Sequence, residues 1–140
     1  VSPAAASPGG GSLAVAEQAD FDAALAAANA GDNQKAADLF GQFVQTYPDG
    51  PLTADAQFRR GQALESLGQY KAAGRSYLDI FNGDPQGPMA PKALYRLAMS
   101  LSQDNNRPMA CLTLGQIDER YPFSEVSADV AAQKQTLGCE

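Results

Sequence analysis

The chain has 140 residues, a formal charge of −6, 44% hydrophobic residues, two cysteines and no histidine. That length holds one domain with a usable core, and the acidity leaves no electrostatic footprint for nucleic acid or an anionic membrane surface. Much of the apolar content is alanine, which favours closely packed helices and an all-α class, and apolar runs such as residues 23–28 are far short of a bilayer span, so no direct membrane insertion is expected.

Residues 1–12, VSPAAASPGGGS, are small and broken by Pro and Gly, and read as a flexible linker ahead of a folded unit at 13–140. Valine at position 1 is the expectation for a processed or truncated product. A first helix is predicted from about Ala14 to Ala30, stopped by Gly31, with Asp32 or Asn33 capping a second over Asn33 to Thr46. The second places Ala36, Leu39, Phe40 and Phe43 on one buried stripe. Leu52 to Leu67 and Tyr70 to Phe81 form the next pair across Gly68, and Lys92 to Gln103 and Pro108 to Arg120 the third. Ser124 is the expected N-cap of a last helix to about Leu137, closed by Gly138.

The landmarks of these pairs recur at a fixed spacing of 37 residues: Gly31, Gly68 and Asn105; Ala36, Ala73 and Ala110; Phe40, Tyr77 and Leu114; Phe43, Ile80 and Ile117; Pro48, Pro85 and Pro122. Such a period marks a helical solenoid, here with repeats at about 14–50, 51–87 and 88–123 and a capping helix at 124–138. Small residues let paired helices approach closely, and the large residue four positions later fills the gap to the next helix.

Twelve residues before the second small column stand Ala24, Gly61 and Ala98, and with the closing prolines this pattern resembles the tetratricopeptide repeat. The resemblance implies a right-handed TPR solenoid of three helix hairpins plus a C-terminal capping helix. The family's usual unit is 34 residues; here three more fall in PDGPLTA and PQGPMAP, so looser, more extended connections are expected. The phrases FVQTYPDGPLTADAQFRRGQALESLGQYKAA, APKALYRLAMSL and ACLTLGQIDERYP are similar to the C-terminal domain of the Tol-Pal system protein YbgF, or CpoB. That resemblance implies a periplasmic, non-enzymatic scaffold that works with TolA and coordinates outer-membrane constriction with septal peptidoglycan synthesis in cell division. It also implies oligomerisation through an N-terminal coiled coil that is missing from this sequence. An outer-membrane protein assembly lipoprotein resembling BamD, which also has YP-terminated hairpins, is the alternative.

No histidine and no nucleophile-elbow serine is present, so catalysis, a metal site and a cofactor are not expected. In the resembled family the first helix of each pair lines a concave partner-binding face. Its columns fall here on Gln18, Asp55 and Lys92; Phe21, Phe58 and Tyr95; Leu25, Gln62 and Met99; and Ala28, Glu65 and Ser102. Phe21, Phe58 and Tyr95 are either a ladder for an apolar partner stripe or packing for the inner edge of the superhelix. Arg59, Arg60, Lys92 and Arg96 either steer an acidic partner or make solvated ion pairs. The aromatic column argues against the carboxylate clamp of chaperone adaptors, which needs Lys, Asn and Arg there.

Cys111 falls in the first turn of its helix and Cys139 just beyond the capping helix, and antiparallel helices joined at Pro122 and Phe123 bring those ends together. A disulfide is feasible, stabilising by roughly 3 kcal/mol and implying an oxidising compartment; two free thiols are the alternative.

Overall fold

The computed structural model describes residues 11–140, with side chains from Leu13 onward. Positions 1–10 of the expected linker lie outside the described residues, and Gly11 and Ser12 already belong to the first helix. Seven helices and no strands occur among the described residues: α1 Gly11–Asn29, α2 Asn33–Thr46, α3 Thr53–Ser66, α4 Tyr70–Gly83, α5 Ala90–Gln103, α6 Arg107–Arg120 and α7 Ser127–Leu137. Each packs on its neighbours in the chain, giving three hairpins and a closing helix stacked as a solenoid.

Each hairpin turns in the same way. Gly31, Gly68 and Asn105 adopt left-handed φ values of 82°, 77° and 62°, and the amide after each reaches back five residues, Asp32 N–H to Ala27 O, Gln69 N–H to Leu64 O and Asn106 N–H to Leu101 O. This satisfies carbonyls that a helix end would leave bare. Asp32 then caps α2 by accepting from Lys35 N–H at 3.1 Å, and Asn106 caps α6 from Met109 N–H at 3.3 Å.

The repeating columns form the core. Ala36, Ala73 and Ala110, and Phe40, Tyr77 and Leu114, are all fully buried, as are Ala24 and Ala98. Gly61 replaces alanine in the middle repeat because Tyr77 occupies the space: a Cβ on Gly61 would lie 2.6 Å from the Tyr77 ring atoms Cε1 and Cζ. The ring is itself fully buried. Gly61→Ala is therefore expected to lower unfolding free energy in urea by about 1–3 kcal/mol, despite the roughly 1 kcal/mol that alanine adds to an exposed helix. A stabilised variant would show that the ring moves freely.

Two expectations are corrected. The connections between repeats are tight, not loose: Thr53 N–H bonds Gly50 O, Gly87 N–H bonds Asp84 O, and Ala90 N–H bonds Gly87 O. The buried Glu17 carboxylate accepts from Leu52 N–H at 3.3 Å and binds the first connection to α1. The last helix does not begin at Ser124. Ser124 stands where Gly50 and Gly87 stand, its carbonyl closing a turn to Ser127 N–H, and α7 starts at Ser127, one period after Ala90 and two after Thr53. The repeat register outweighs the local capping preference of serine.

Candidate functional site

In the resembled repeat the inner face is that of the first helix of each pair, here α1, α3 and α5. Phe21 does not contribute to it as an exposed ring. It is 5% exposed and packs edge-on against Phe40 and Phe43, both with ring centroids 5.7 Å away. Phe58 is half-buried and turns its edge to Tyr77 at 5.4 Å, and Tyr95 is half-buried against the C-terminal core cluster. Of the two readings of this column, Phe21 fits packing, and no stacking between Phe21, Phe58 and Tyr95 occurs among the described residues.

Two of the rings are instead covered by a cation from the next helix of that face. The Arg59 guanidinium lies over Phe21 at 5.9 Å and the Lys92 ammonium over Phe58 at 5.8 Å, distances at which a cation is attracted by the ring face. Tyr95 lies within electrostatic reach of Gln133 and Asp129 of α7. Burial, then the Asp129 charge, raises its pKa, while Gln133 and Arg96 act in the opposite direction.

The basic residues divide between roles. Arg59 pairs with Asp55 at 3.0 Å along α3, Lys92 with Glu125 at 3.9 Å, and Arg96 with Glu65 across α3 and α5. Ser100 donates a second hydrogen bond to Glu65 at 2.9 Å. Burial works against the Arg96 charge, but Tyr77 and Glu65 more than offset it, so its pKa is raised. Arg60 leaves the concave face altogether, donating to the buried Ser76 of α4 at 3.2 Å beside Gly41 of α2.

The same face carries a small cleft of about 190 Å³ lined by Glu65, Tyr95, Arg96, Met99 and Gln103, with the exposed Gln62 nearby in sequence on α3. Tyr95, Arg96 and Met99 converge there; Phe21 and Arg59 do not line it. Gln103 was missed by column matching, although it lies one turn beyond Met99 on the same helix. The cleft offers an apolar wall, a paired cation and amide groups, which suit the side chains and backbone of a protein segment.

At the C-terminal end of the solenoid Cys111 and Cys139 form a disulfide, with Cα atoms 5.5 Å apart. Arg107 secures the same corner, donating from Nε to Leu137 O and from Nη2 to Gly138 O at 2.7 Å.

The family model for the tetratricopeptide repeat matches residues 18–50 and 92–124. These are the first and third copies, and the intervening copy with Gly61 lies outside both matches. No curated protein matches the chain. Among solved structures, the fold is similar to the type III secretion chaperone SycD of Yersinia enterocolitica in complex with a peptide of the translocator YopD: TM-score 0.70, 19% identity, covering 86% of this chain and 91% of that one. A second structure, of the translocator chaperone SycD, superposes with TM-score 0.69 at 19% identity, covering 86% of this chain and 82% of that one. The architecture is the all-α TPR solenoid expected from the sequence.

Proposed function

We propose that this chain is a protein-interaction scaffold of the periplasmic Tol-Pal system, whose concave face binds a segment of TolA and so helps coordinate outer-membrane constriction with septal peptidoglycan synthesis. The observation that carries a protein-binding role is the inner cleft, where Tyr95 and Met99 stand beside the Glu65–Arg96 pair on two adjacent helices. The SycD complex supports it by likeness of fold, since that protein holds a peptide. The Tol-Pal assignment rests on the similarity of the quoted repeat phrases to YbgF, or CpoB. The Cys111–Cys139 disulfide supports an oxidising compartment such as the periplasm.

Capture of TolA from an envelope extract on immobilised protein tests the reading. A Tyr95→Ala, Met99→Ala variant, which leaves the Phe58–Tyr77 contact intact, is expected to weaken capture by about tenfold with an unchanged circular dichroism spectrum. Equal capture by a folded variant would move the site off the concave face. Failure of the unmodified protein to retain TolA would remove the Tol-Pal assignment.

A further inference from the structure

The opposite face of the solenoid carries a larger apolar groove. It runs between α4 and α6, the outer helices of the second and third repeats, with α5 as its floor. Leu78, Phe81, Leu97, Leu101, Met109 and Leu112 line a volume of about 400 Å³. Met109 is 46% and Leu112 61% exposed, so large apolar side chains are left in solvent on an otherwise acidic protein. A shallower extension continues past Leu78, Leu97 and Leu101 toward Lys71 and Arg75 at the start of α4.

Charge distinguishes this groove from the concave face. Arg59, Lys92 and Arg96 on the inner side are each paired with a carboxylate of the chain itself. Lys71, Arg75 and Arg120 are exposed and make no ion pair among the described residues. Lys71 and Arg75 flank one end of the groove, where Asp104 supplies a carboxylate. Arg120 marks the other end, its guanidinium 5.2 Å from the Phe81 ring and its Nε donating to Gln116, both groove residues.

We propose that this outer groove docks an acidic amphipathic helix of a partner protein. Its apolar stripe would lie on Leu97, Leu101 and Leu112, and carboxylates about two to three turns apart, roughly 10–15 Å, would meet the cations at the two ends. An apolar floor with unpaired cations at both ends selects such a segment over a neutral or basic one. The scaffold then has two independent faces, one for each of two partners.

Synthetic 18-residue helical peptides with one leucine stripe and either Glu, Gln or Lys at the flanking positions test this by fluorescence anisotropy on the full chain. The Glu peptide is expected to bind about tenfold tighter than the Lys peptide. Met109→Ser with Leu112→Ser, two solvent-exposed positions, should weaken it about tenfold. Lys71→Gln, Arg75→Gln and Arg120→Gln together should erase the preference for Glu over Gln. Tyr95→Ala with Met99→Ala should leave this binding unchanged, which separates the outcome from that of the TolA experiment. Absence of charge preference, insensitivity to the groove substitutions, or loss in the concave variant would overturn the proposal. So would sedimentation showing a dimer that Leu112→Ser dissociates, because a second copy would then be the occupant.

Discussion

Tyr77→Ala is expected to lower the unfolding free energy by about 3–5 kcal/mol, the range for deleting a fully buried aromatic side chain. Tyr77 is at the junction of the first and last halves of the solenoid: its ring lies on Gly61, meets the edge of Phe58 at 5.4 Å and is faced by Arg96 at 6.0 Å. Alanine would leave a void between α3 and α4 that rigid helices cannot collapse around. The hydroxyl is a different matter. It is buried without a hydrogen-bond partner of good geometry, beside Arg96 and Glu65, and burial pushes its pKa well up. Tyr77→Phe is therefore expected to stay within about 1 kcal/mol of the parent protein, because it removes a polar group that gains little on folding. Urea denaturation of the two variants separates these effects. A phenylalanine variant as unstable as the alanine one would identify the hydroxyl, not the ring, as the anchor.

Removing the disulfide, by reductant or by Cys111→Ser with Cys139→Ser, is expected to destabilise by about 3 kcal/mol, a fall of about 10 °C in Tm. The bridge spans a sequence separation of 28 residues, so its loss restores much freedom to the unfolded chain. Its local effect is larger still at α7, whose own buried residue is Val130. Without the bridge, α7 is held by Val126 and Val130, by the Arg107 contacts to Leu137 and Gly138, and by the Lys134–Asp118 pair. Amide exchange across Ser127–Leu137 should accelerate well before that of α3 and α4. Superimposable melting curves and exchange profiles with and without reductant would show that the bridge adds nothing.

The repeat columns were legible because they are a property of buried positions, and burial constrains size: Ala36, Ala73 and Ala110 can only be small where two helices touch. Pairing of Cys111 with Cys139 was legible for a related reason, since antiparallel helices fix which ends meet. The inner face was read less well. Whether a ring on one helix is available depends on the next helix: Arg59 shields Phe21 from 38 positions away, and no periodicity within one repeat reports that. Ser124 has a local capping preference, but the 37-residue period carried into a fourth copy puts the helix start at Ser127. The outer groove has one trace in the sequence: Met109 and Leu112 are apolar but off the stripe of Ala110, Leu114 and Ile117.

The two ends of this solenoid are fastened differently. Cys139 adjoins Glu140, and its covalent bond to Cys111 diverts tension applied at residue 140 past α7 into the first turns of α6. At the other end α1 is held by non-covalent contacts, among them Glu17 on the Leu52 amide and Asp20 on the Tyr47 hydroxyl. In a stretched molecule α1 is free to peel away, whereas the chain between Cys111 and Cys139, with most of α6 and all of α7, bears no load while the bridge holds.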